Sequence, residues 1–134
     1  MNARDGTPEI KGTDALCVEA RALAIEAQAW GTDGHELPAK GEATRALDRL
    51  NSYGADLRDA VNVRCSELPK GSDLHLGAQV ILGEADRRLG QPPLGATTED
   101  VVRRAQNLAR LVHGLLRALG AEADTAARCR EPSA

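Results

Sequence analysis

Between Ala43 and Leu68 a small or apolar residue recurs at every third or fourth position: Ala43, Leu47, Leu50, Gly54, Leu57, Val61, Cys65 and Leu68. That spacing matches the turn of an α-helix, whereas a strand would need a period of two. A helix from about residue 39 to 68 would span roughly 45 Å, and its apolar face must be covered along that length. What covers it follows from composition. The chain has no phenylalanine, and Trp30 and Tyr53 are its only aromatic residues, so Leu, Val, Ile and Ala must fill the core. Such side chains suit closely approaching helices better than a β-sandwich, which draws on more β-branched and aromatic residues. A length of 134 residues allows one core of moderate size and one domain.

Residues 1–12 hold Gly6, Pro8 and Gly12 among polar side chains. They are expected to form a disordered leader, having too little apolar surface to offset the entropy of ordering. Thr13 or Asp14 then caps a first helix that runs to Trp30, where Gly31 stops it. Two apolar stripes run along this helix: Leu16, Ala20, Leu23, Ala27 and Trp30 on one side, and Val18, Ala22, Ile25 and Ala29 on another. Glu19 and Glu26 fall between them. One reading wedges the helix between two neighbours and sends both carboxylates to solvent or to an arginine at the seam, because a buried charge is costly unless paired. The other makes Glu19 and Glu26 candidate catalytic groups lining a cavity.

The segment GTDGHELPAKG reads as a loop containing a solvated His35, with Pro38 in the first turn of the second helix. In that helix Gly54 permits close helix approach, and Cys65 acts as a small hydrophobe whose burial makes it a poor nucleophile. Arg58 and Arg64 flank the apolar stripe, placed to meet Glu19 or Glu26. Ser72 or Asp73 caps a third helix over 73–89, with a core face of Leu74, Ala78, Ile81, Leu82, Ala85 and Leu89. Leu76 and Val80 project almost opposite, with Gly83 close to them in azimuth. They form a second apolar surface for a partner, or for cover by the first helix or the tail. After a Pro-Pro connection, Thr97 or Thr98 caps a fourth helix over 97–119, with Glu99 and Asp100 at the positive end of its dipole. Its core face is Val101, Ala105, Leu108, Val112, Leu115, Leu116 and Leu119. The stretch from Asp73 to Leu119 thus reads as a helical hairpin onto which the rest packs, followed by a frayed tail over 121–134.

Charge and cysteine content narrow the function classes. A net charge of -3 gives no general basis for binding nucleic acid. A local one could come from Arg103, Arg110 and Arg117, spaced by seven on the fourth helix, which could grip phosphates or carboxylates. No aromatics interleave with them, so a solvated helix face is the simpler reading. Cys17, Cys65 and Cys129 are odd in number and lack metal-ligand spacing, which argues for reduced thiols and no metal site. His75 and His113 lie at helix edges, where histidines usually serve as hydrogen-bonded structural residues. There is no signal-peptide pattern and no run approaching the ~20 apolar residues of a membrane span; a cytoplasmic chain without membrane contacts is expected. Glycine-rich phosphate loops, HExxH, GxSxG and the paired ExxH of di-iron bundles are all missing, and no cofactor is implied.

The residues GEADRRLGQPPLG followed by RRAQNLARLVHGLLRALG resemble a family of small uncharacterised helical proteins from actinomycete natural-product gene clusters. The pattern consists of Glu84, Ala85, Arg87, Arg88 and Leu89 ending one helix, a Pro/Gly connection, and Ala105, Leu108, Ala109 and Arg110 in the next. It covers about residues 57–119. The resemblance implies a setting in specialised metabolism, such as antibiotic biosynthesis, and carries no catalytic residues to transfer.

The expectation is therefore an all-α, up-down four-helix bundle over 13–120 with a loose leader and tail. Functionally it reads as an accessory protein that binds a partner chain or a small metabolite, as a homodimer through the spare faces of the first and third helices. Trp30, Arg58, His75, Arg110 and His113 are the candidate contact residues. A small cofactor-free enzyme using Glu19 and Glu26, or a nucleic-acid-binding regulator using the arginine row, are the alternatives.

Overall fold

The computed structural model describes residues 2–32, 34–90 and 97–120, with side chains from residue 14 onward apart from those gaps. Four helices account for the regular structure: α1 (Asn2–Ala29), α2 (Lys40–Glu67), α3 (Asp73–Arg88) and α4 (Thr98–Leu119). No strand occurs among the described residues, and the fold is an all-α helical bundle. The tail over 121–134, with Cys129, lies outside the described residues.

Local chemistry sets most of the helix ends. The Ser72 hydroxyl accepts the His75 N–H at 3.2 Å and the Thr97 hydroxyl accepts the Asp100 N–H at 3.0 Å, so Ser72 and Thr97 are the caps of α3 and α4. α4 ends on Gly120 in the left-handed region at φ 79°, with its N–H returned to the Arg117 carbonyl, a conformation that favours glycine. α2 stops at Leu68, which is extended, as the residue before Pro69 is pushed to be. Pro38 precedes the extended Ala39 and lies outside the first turn of α2. α1 is helical from Asn2, so the chain passes through Thr13 and Asp14 as helix and the expected cap there is not the start; capping is a local preference that a continuing helix overrides.

The framework differs from the expected 73–119 hairpin. α2 and α4 share the most extensive contact, each touches all three other helices, and α1 and α3 each pack against both members of that pair. The reason lies in how much of each helix is apolar around its circumference. α4 buries Val101, Val102, Ala105, Leu108, Ala109, Leu111, Val112, Leu115 and Leu116, a wider arc than the sequence stripe. α2 buries the stripe read from sequence as far as Cys65, with Ala46 added. α3 buries only Ala78 and Ala85, and those small residues let its backbone approach while its larger side chains stay near the rim.

Two glycines serve this packing. A methyl at Gly54 would stand 2.8 Å from Leu89 Cδ2, and one at Gly114 would stand 2.6 Å from Ile81 Cδ1. The first anchors α3 against α2, as its place in the stripe suggested. The second draws α3 onto α4. From Asn51 near Gly90, through Arg58 beside Asp86, to Cys65 under the His75 carbonyl, the α2–α3 contacts run antiparallel.

Candidate functional site

α1 carries one buried stripe, not two. Cys17, Ala20, Leu23, Ala24, Ala27 and Trp30 are in the core, while Val18 and Ile25 are exposed, so the helix leans on the α2–α4 pair from one side and does not wedge between neighbours. Glu19 and Glu26 are both on its exposed part. The Tyr53 hydroxyl donates to Glu19 Oε1 at 3.2 Å, and Arg49 donates to that hydroxyl at 2.8 Å, its guanidinium 5.6 Å from the ring centre. This polar chain ties α1 to α2 at the surface. Arg58 does not meet either carboxylate; it pairs with Asp86 on α3 at 2.7 Å, because α3, not α1, covers that edge of α2.

The candidate contact residues scatter over the molecule. Trp30 is a core side chain, and its carbonyl, with that of Ala27, accepts the Gln106 side-chain amide at 3.1 Å. Gln106, not singled out from sequence, thereby satisfies two terminal carbonyls of α1 and fastens them to α4; the signal was an amide at the edge of the α4 apolar arc. His75 is half-buried, with Nδ1 3.5 Å from the Gly71 N–H at the start of α3, and His113 is half-buried on α4. Arg110 donates to Asn107 at 2.8 Å and Arg103 lies 3.7 Å from Asp100, so these members of the arginine row engage their own helix. Cys65 is buried, as is Cys17. Burial pushes the Cys17 thiol up, Asp14 adding to the rise and Arg21 opposing it. Among the described residues no group of three or more His, Cys, Asp or Glu is placed to hold a metal ion, and no helix is long and apolar enough to cross a membrane.

Two grooves border α3. One, of about 440 Å³, lies against α2 and is crossed by the Arg58–Asp86 pair, so its charges are already matched. The other, of about 430 Å³, lies against α4 between Leu74, Gly77, Val80, Ile81, Gly114 and Arg117. Neither is lined by Glu19 or Glu26.

α3 leaves three large aliphatic side chains exposed, Leu74 at the groove and Leu76 and Val80 on its outer side. Leu74 is 65 % exposed, Leu76 50 % and Val80 68 %. Leu74, expected in the core, lies at the first turn of α3, at the end of the groove. Leu76 and Val80 point away from Ala78 and Ala85, as the azimuths predicted, and none of the helices described covers them. Gly77 and Gly83 lie along the same helix, and among the described residues nothing packs closely where their side chains would stand. A methyl at Gly77 would meet nothing within 4 Å, and one at Gly83 only Arg87 Nη1 at 3.8 Å. Each mid-helix glycine costs roughly 0.5–1 kcal/mol relative to alanine. Two such glycines therefore accompany two exposed aliphatic side chains on one helix.

This is a small all-α bundle built on a central helix pair, with an apolar ridge on one flanking helix that none of the described residues covers. The chain belongs to a family of unknown function, DUF6415, whose model matches residues 18–124. The match takes in the second half of α1 along with α2, α3 and α4, and so begins well before the 57–119 stretch on which the sequence resemblance rested. Neither a curated protein nor a solved structure matches the chain.

Proposed function

We propose that this chain is a non-catalytic accessory protein that works by protein contact, with the outer ridge of α3 as its docking surface. The observation that supports it is the ridge itself: Leu76 and Val80 exposed next to Gly77 and Gly83, on a helix whose only fully buried residues are two alanines. An apolar helix face with small residues at its margin is what a partner helix packs against. The carboxylates that would drive an acid/base enzyme, Glu19 and Glu26, are exposed on α1, and Glu19 is engaged by Tyr53. The setting we propose is specialised metabolism, in keeping with the natural-product resemblance of the α3–α4 segment.

The test replaces Leu76 and Val80 together by glutamine in the chromosomal copy of the producing organism. The purified variant should unfold at the same temperature as the parent within a few degrees. Its strain should reproduce the metabolite profile of a full deletion, read by mass spectrometry of culture extracts. A deletion that alters specialised metabolites while the folded double variant leaves them untouched would refute the ridge as the working surface.

A further inference from the structure

We infer that the partner of the α3 ridge is a second copy of this chain, docked antiparallel across a two-fold axis at Val80; this rests on the ridge being a protein-docking surface. The inference comes from the symmetry of the charges and sizes along the helix. At ~100° per residue, Asp73, Leu76, Val80, Gly83 and Arg87 fall within an arc of about 80°, opposite the buried Ala78 and Ala85. Asp73 stands seven residues before Val80 and Arg87 seven after it. Two copies related by a two-fold at Val80 therefore bring each Asp73 to the partner's Arg87, twice over. Leu76, four residues before the axis, meets the partner's Gly83, three after it, so a large side chain seats where one is missing.

Other features agree. Asp73 is exposed at the N-terminal end of α3, and Arg87, which holds Glu84 at 2.8 Å within its own chain, is 68 % exposed. Antiparallel helices also place the positive end of each dipole beside the negative end of the other. An unrelated partner would need none of this self-complementarity, whereas an isologous contact requires it. A single helix pair is a small interface beside the ~1,200 Å² of standard stable ones, so the association expected is weak and reversible.

Sedimentation velocity on the full chain, from low to high micromolar concentration, reads the outcome. The expected result is a reversible shift from 14.2 kDa toward twice that mass. Asp73→Arg alone or Arg87→Asp alone should weaken association roughly tenfold, since each reverses two ion pairs. The double exchange should restore it, even though both new residues sit at the wrong ends of the α3 dipole. Val80→Asp should leave a folded monomer. A chain that stays at 14.2 kDa throughout overturns the inference, and the ridge reading then stands or falls on the glutamine variant in the producing strain. A dimer that survives Val80→Asp but is lost with Ile25→Asp places the contact on α1 and overturns it as well.

Discussion

Removing the same three carbon atoms from two leucines separates the framework helix from the ridge helix. Leu57 on α2 has no exposed surface, whereas Leu74, on the core-side face of α3, is 65 % exposed. Leu57→Ala leaves a cavity in the core that rigid neighbours fill only in part, and buried leucine truncations of this kind cost about 2.7–5 kcal/mol. Leu74→Ala removes a side chain that is about one-third buried; at roughly 1.5–3 kcal/mol for full burial, the loss is about 0.5–1 kcal/mol. For a domain of this size the first corresponds to a fall in Tm of roughly 10–15 °C and the second to a few degrees. Urea unfolding followed by circular dichroism, at concentrations dilute enough to suppress association, measures both. Equal costs at the two sites would refute the reasoning, because Leu74 would then be covered within the monomer.

Three further outcomes follow from contacts at the helix seams. Gly114→Ala should destabilise by about 1 kcal/mol, the overpacking against Ile81 exceeding the gain in helix propensity, and Ile81→Val in the same chain should recover part of it in thermal melts. The Arg58–Asp86 pair is exposed on both sides, so a double-mutant cycle with alanine should return no more than about 0.5 kcal/mol, falling with added salt. The Glu84 carboxyl is held below its usual range, first by the hydrogen bond from Arg87 and then by the charge of Arg88. A depressed folded value means that its contribution to stability is present above the ordinary glutamate pKa and lost as pH falls through the folded one. Carbon-detected NMR titration should show that depression, and Arg87→Ala should move the midpoint upward.

Reading the sequence worked best where one periodicity decided the matter. The α2 stripe from Ala43 to Cys65 is buried as spaced, Gly54 sits where two helices meet, and Leu76 and Val80 point outward as their azimuths require. It worked less well where burial depends on the neighbour. Val18 and Ile25 share an apolar stripe, yet their exposure follows from which side of α1 faces the α2–α4 pair. The partner of Arg58 was misassigned for the same reason: spacing puts a guanidinium at the edge of a stripe, while the identity of the helix across that edge is a property of the assembled bundle. Gly114 carries no periodic signal and Gln106 only that of an amide at the edge of the α4 arc; the approach of Ile81 and the end of α1 give them their roles.

The account turns on the outer face of α3 meeting itself at Val80, and a cysteine on the proposed axis tests this most directly. In a Cys129→Ser background, with Cys17 and Cys65 buried, Val80→Cys should cross-link on mild oxidation to a species of twice 14.2 kDa, because two-fold-related positions on facing helices come within disulfide reach. Gln79→Cys, exposed but turned ~100° from the axis, should stay monomeric under the same conditions. Failure of Val80→Cys to cross-link, or equal cross-linking from Gln79→Cys, would contradict it.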